Sequence, residues 1–222
     1  MLEETEDLVR IAKERSILLS ESTVYLYHPQ IDLIREYFQE NKLFPKLITV
    51  LFSFPPLAEN NFRYKKELGG GALLDTGPYI ASVSRYFFNE LPSACYYIDN
   101  STGENKIEIS YSIMMKYSDG RSLIGHLGFT TEYINRINIL GAGICLDIDR
   151  IFTLPETVEN TIKIKNNNQS VDIIAPTGNM FKQYFLKIKN CIETKEYDQL
   201  YTDMLMDAQT RNIITKCKEY GN

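Results

Sequence analysis

The sequence has no tryptophan, two histidines and four cysteines, and each shortage excludes something. His28 and His126 are too few for a histidine-based metal centre without carboxylate help. Cys95, Cys145, Cys191 and Cys217 are far apart, with no Cys-x-x-Cys. That spacing argues against a disulfide scaffold or zinc site and predicts reduced thiols in a cytoplasmic protein. Basic residues do not dominate: 24 Lys and Arg face 29 Asp and Glu, for a net charge of -5. Nucleic acid and a polybasic membrane surface are therefore not expected partners. No apolar run approaches the ~20 residues that span a bilayer, and no basic-then-apolar leader opens the chain. There is also no Gly-x-Gly-x-x-Gly, the turn that lays a pyrophosphate on a helix N-terminus.

What is present suffices for a core. The chain has 222 residues, 44% of them hydrophobic, enough for one large domain or two small ones. Its most distinctive stretch is Gly69-Gly70-Gly71-Ala72-Leu73-Leu74-Asp75-Thr76-Gly77-Pro78-Tyr79. Three glycines permit a sharp turn and close approach. Ile80, Val83, Tyr86, Phe87 and Phe88 follow at helical spacing. Asp75 and Tyr79, four apart, fall on one helix face, where a carboxylate beside a phenol is a proton-transfer pair and the positive helix end favours both ionised forms. An Asp that caps and a Tyr that packs would look the same, and residue chemistry leaves both readings open. Pro78 leaves two helix starts open: near Thr76 or Gly77, or at Gly71 with a bend at Pro78.

Residues 1 to 15 predict a helix, Ile17 to Leu19 a short buried strand, and Ile31 to about Asn41 a helix opened by Pro29. Leu47 to Phe54 predicts a strong strand ended by Pro55-Pro56. Residues 57 to 68 predict a polar loop carrying Arg63. Strands follow at 94–98 and 106–117, the latter with Ile107, Ile109, Tyr111 and Ile113 on a dry face and Glu108, Ser110 and Ser112 opposite. Hairpins turn at Asp119-Gly120, Gly141-Ala142-Gly143 and Asn166-Asn167-Asn168, giving an antiparallel meander of about six or more strands. Two C-terminal helices, around Met180–Ile188 and Leu200–Ile214, are expected to cover its dry face. His126 reads as a sheet-face residue.

The run Gly-Gly-Gly-Ala-Leu-Leu-Asp-x-Gly-x-Tyr, with Arg85 six residues on, resembles the signature helix of the Gfo/Idh/MocA oxidoreductases, in the glucose-fructose oxidoreductase and dihydrodiol dehydrogenase branch. Arg150-Ile151-Phe152-Thr153-Leu154-Pro155 resembles a segment of members acting on sugars and nucleotide sugars. The resemblance implies an N-terminal Rossmann domain binding NAD or NADP, followed by an α/β domain with a broad, mostly antiparallel sheet. It implies that Tyr79 is the acid/base and Asp75 the carboxylate that helps orient sugar and cofactor. It makes Arg63 a candidate for the substrate, against a solvated loop charge, and His28 a candidate for the substrate cleft, against a partly buried structural histidine, with Glu21, Gly70 and Gly71 on the cofactor.

The expected fold class is therefore α+β: a large, mostly antiparallel open sheet with helices on one face. Residues 1–22 are expected to be the last helix and strand of a Rossmann domain, and residues 23–222 the substrate-binding and oligomerisation domain. The family's Glu-Lys-Pro motif and its lysine have no counterpart here, so the chain reads as a fragment or as a protein that lost most of its cofactor domain. It is expected to bind NAD(P) only weakly alone, and to act in a complete protein on a secondary alcohol of a sugar-like molecule. The competing reading is a non-catalytic binding or dimerisation module. A homodimer through the open sheet face is expected.

Overall fold

The computed structural model describes residues 2–101, 107–167 and 169–220. Five α-helices and eight strands are described. Helix α1 (Leu2–Glu14) and helix α2 (Pro29–Glu40) precede strand β1 (Pro45–Ser53). Helix α3 (Ala72–Phe88) follows, then β2 (Ala94–Asp99), β3 (Ser110–Lys116) and β4 (Ser122–Gly128). Next come β5 (Ile134–Gly141), β6 (Ile144–Asp149), β7 (Asn160–Asn166) and β8 (Gln169–Ala175), and helices α4 (Met180–Thr194) and α5 (Asp198–Tyr220) close the chain. This is the expected α+β class with a mostly antiparallel open sheet.

The eight strands lie in the order β2-β3-β4-β1-β5-β6-β7-β8. The expected meander is therefore interrupted. Strand β1 inserts between β4 and β5, parallel to the first and antiparallel to the second. A parallel pair needs a long crossover, and the chain from β1 to β4, which includes α3, supplies it. That crossover lays α3 across β4, β1 and β3.

Alternation sets two faces. Ile48, Val50 and Phe52 of β1, Tyr111, Ile113 and Met115 of β3, and Ile137 and Ile139 of β5 are buried in one core with Ile80 and Val83 of α3. On the opposite face Tyr96 pairs in register with Met114, and Met114 with Ile124; all three are exposed.

Several expectations are corrected. Residues 17–19 form no strand: Ile17 is 51% exposed, and no strand pairs with them among the described residues. Strand β3 starts at Ser110, so Glu108 lies before the sheet instead of on its polar face. Lys106 and Asn168, placed in a strand and a turn by the sequence, lie outside the described residues. The C-terminal helices cover less of the sheet than expected. Helix α4 packs on the short 3-10 helix Val24–Tyr27, through Tyr27 and Tyr184, and leaves Phe181, Phe185 and Ile192 exposed. Helix α5 packs on edge strand β2, on α3 and on α1.

Candidate active site

Helix α3 carries the site and begins earlier than one of its two possible starts. It runs unbroken from Ala72 through Pro78. Its N-cap is Gly71, whose φ of 118° an L side chain rarely adopts. With Pro78 inside the helix, Ser82 Oγ donates to the Pro78 carbonyl at 2.7 Å and sits 2.8 Å from the Tyr25 hydroxyl.

Asp75 and Tyr79 line one small cleft, of about 220 Å3, with Glu21, Thr23, Tyr25 and Phe152. The Tyr79 ring is held by three others: Phe52 at 4.8 Å, Phe152 at 5.1 Å and Tyr25 at 5.9 Å between centroids. The contacts with Phe52 and Phe152 are edge-to-face, and such packing fixes a ring without a hydrogen bond. Burial, and then the Asp75 carboxylate, push the Tyr79 phenol above its ordinary value, while Arg63 opposes them. The helix dipole was expected to favour ionisation. Tyr79 stands two turns inside α3, where that field has faded, so burial prevails. The phenol is therefore a neutral proton donor at ordinary pH.

Arg63 is brought to the same place. Its Nε donates to Asp75 Oδ2 at 2.8 Å, and its guanidinium lies 4.8 Å from the Phe62 ring centroid. A guanidinium both paired and stacked is oriented, not a free loop charge. The glycines serve this arrangement. Gly70 and Gly71 donate their N–H groups to the carbonyls of Lys65 and Arg63, each at 2.9 Å. A Cβ on Gly70 would stand 2.6–2.7 Å from the carbonyls of Phe62, Arg63 and Lys65. Gly70 and Gly71 thus fold the Arg63 loop back beside α3, with their N–H groups used inside it. Glu21 does line the cleft, and pairs with Arg211 of α5 at 3.5 Å.

His28 lies apart from this cleft. It is fully buried, and its Nδ1 caps α2 by accepting from the Gln30 N–H at 3.2 Å. Burial holds it below the ordinary histidine value, and it is absent from the cleft lining. It is a structural residue, with no surface to offer a substrate. His126 faces the open side of the sheet, 3.0 Å from Ser112 Oγ.

The residues that sequence reasoning missed as site members are Tyr25 and Phe152. Both lay in quoted segments, but nothing local showed that their rings close on Tyr79. A larger cleft, of about 570 Å3, shares Glu21 and Thr23 and contains Arg85, Asp203 and Asp207. Arg85 is ion-paired with both acids, at 3.0 and 2.9 Å. No group of His, Cys, Asp or Glu able to hold a metal ion was found among the described residues. No helix among them is long and apolar enough to cross a membrane.

Helix α3, laid across the open sheet, thus presents a carboxylate and a phenol to one cleft. Residues 45–143 match the GFO/IDH/MocA C-terminal domain. The chain is 28% identical over 183 residues to a dTDP-3,4-didehydro-2,6-dideoxy-alpha-D-glucose 3-reductase of Saccharopolyspora spinosa, covering 81% of this chain and 54% of that protein. It is 25% identical to the enzyme of the same name from Streptomyces antibioticus, over 83% of this chain and 58% of that one. The chain thus spans a little over half the length of these relatives. In fold it matches a 3-ketoreductase from Actinomadura kijaniata in complex with NADP and TDP-benzene, with a TM-score of 0.85, 21% identity, and coverage of 97% of this chain and 67% of that one. It also matches an aldose-aldose oxidoreductase from Caulobacter crescentus complexed with glycerol, with a TM-score of 0.87, 18% identity, and coverage of 100% and 68%.

Proposed function

We propose that this chain is the substrate domain of an NAD(P)-dependent oxidoreductase that interconverts a ketone and a secondary alcohol on a nucleotide-linked sugar. The observation that carries the reading is the shared cleft of Asp75 and Tyr79, with Arg63 clamped on Asp75. The names of the relatives support the substrate class. In this reading Tyr79, kept neutral by burial, gives its proton to the sugar oxygen as the alcohol forms, and takes it back in the reverse direction. Asp75 accepts hydrogen bonds from neighbouring hydroxyls, and Arg63 holds Asp75 in place.

The N–H groups of Gly69, Gly70 and Gly71 next to the site are satisfied within the loop, so these three offer no pyrophosphate cradle. The chain alone is therefore proposed to bind NAD(P) weakly and to be inactive, with residues 1–22 belonging to the cofactor domain of a longer protein. The apolar end of its open sheet face, at Tyr96, Met114 and Ile124, is proposed to pair with a second copy, and the protein is proposed to work in the cytoplasm.

Two titrations on the chain test this. dTDP-glucose, followed by calorimetry, is expected to bind wild type and Tyr79→Phe alike, and Arg63→Ala or Asp75→Ala more weakly. NADPH, followed by its fluorescence, is expected to show no saturable binding at micromolar concentration. A folded chain that ignores dTDP-glucose overturns the substrate reading, and micromolar NADPH affinity overturns the cofactor reading.

A further inference from the structure

Two of the four cysteines, far apart in sequence, meet at the edge of the sheet. Cys95 is on edge strand β2 and Cys217 in the last turns of α5. Cys217 Sγ lies 2.9 Å from the Cys95 carbonyl oxygen, 122 positions away in the chain. Both are partly exposed and neither is oxidised. The other two do not share this setting: Cys191 is buried, and Cys145 Sγ accepts from Asn138 at 3.3 Å.

We propose that Cys95 and Cys217 are a thiol pair that closes into a disulfide, fastening the end of α5 to strand β2. The oxidant class is a small-molecule disulfide. The thiolate of one cysteine attacks a sulfur of that disulfide, breaking its S–S bond and releasing one small thiolate. The second cysteine then attacks the resulting mixed disulfide, forms the Cys95–Cys217 bond and expels the second thiolate. Two protons leave the cysteines and two electrons pass to the oxidant. Burial, and then the neighbouring Cys217, push the Cys95 thiol upward, so closure is slow at neutral pH and accelerates as pH rises.

The consequence follows from what α5 holds. Next to Cys217, Lys218 pairs with Glu108, and Glu108 caps the helix that carries Asp75. Helix α5 also holds Arg85 through Asp203 and Asp207. A covalent tie at its end would hold the ion-pair partners of α3 in place. It would also close a loop of more than a hundred residues, the case in which a cross-link most restricts the unfolded chain.

The chain is incubated with glutathione disulfide at pH 8.5 and, in a second reaction, with diamide. It is then alkylated under denaturing conditions and its peptides are mapped without reduction. The expected result is a Cys95 peptide joined to a Cys217 peptide, lighter by two hydrogens, with a melting temperature raised by several degrees. Cys217→Ser is expected to abolish both changes while remaining folded. The proposal is overturned if both cysteines alkylate as thiols after diamide, or if each carries glutathione with no cross-link.

Discussion

Glu108 Oε1 accepts a hydrogen bond from the Leu73 N–H at 3.1 Å, across 35 positions of sequence. Its carbonyl takes the Ala72 N–H at 2.8 Å. Gly71, the N-cap of α3, has no side chain to do this, so the cap comes from the far side of the chain. Lys218 of α5 pairs with the other carboxylate oxygen. The helix that carries the candidate site is thus started by Glu108 and tied through it to the C-terminal helix.

Removing that carboxylate should be costly. Glu108→Ala leaves the Leu73 N–H unpaired in a buried setting and Lys218 without its partner. The expected loss is about 1–3 kcal/mol. Glu108→Gln keeps an acceptor for Leu73 and should lose less. Urea denaturation of the three proteins checks the order; equal stability for wild type and the alanine variant would remove Glu108 from this role.

Gly71 and Gly69 predict a contrast. Both have positive φ, 118° and 75°, but a Cβ on Gly71 would stand 3.0 Å from Glu108 Oε1, while Gly69 has open space. Gly69→Ala costs only the left-handed backbone strain, about 1 kcal/mol. Gly71→Ala adds displacement of the cap and should cost about 2–3 kcal/mol. Thermal melts of the two variants decide it.

The site helix was legible because its signals are local: a glycine run, and an Asp and Tyr four apart. The core alternation of β3 and the hairpins were legible for the same reason. The place of β1 was not, because periodicity shows that a strand is half-buried and says nothing of its neighbours. Glu108 was read as the polar face of a strand because Ile107 and Ile109 flank it, and only the fold shows it turned under Gly71. Arg63 and Asp75, 12 apart with a reversal between them, could each be nominated but not paired. His28, beside Pro29, carried its cap signal in plain view. An imidazole before the proline that opens a helix accepts from the N–H two residues on.

Arg85 and Asp207 make a pH prediction. Burial, the largest influence, raises the Asp207 carboxyl to about 6, against the pull of Arg85. The ordinary value is 3.8, so the folded protein holds this proton more tightly than the unfolded chain does. The stability it contributes is complete below about pH 4. It declines as pH rises from about 4 to about 6 and is gone above that. The amount is on the order of 2–3 kcal/mol. Asp207→Asn should lack this component, so the wild-type-minus-variant difference in unfolding free energy should rise as pH falls from 7 to 4.5. A flat difference would show that Asp207 ionises as in water.

The exposed row Tyr96, Met114 and Ile124 makes the last prediction. In-register neighbours on three adjacent strands form a continuous apolar patch, whereas scattered apolar residues do not. The three strands lie at one end of the sheet. At the corresponding level of the other strands the register places Asn138, Asp147 and Lys163, which are polar. A second copy related by a two-fold axis would bury the apolar end against the same surface of its partner. Ile124→Glu puts a charge at the patch without touching the helix-covered core. It should turn a dimer into a monomer in sedimentation while leaving the melting of the isolated fold nearly unchanged. A wild-type chain that sediments as a monomer at about 100 μM, far above the nanomolar range of tight dimers, would assign the patch to some other partner.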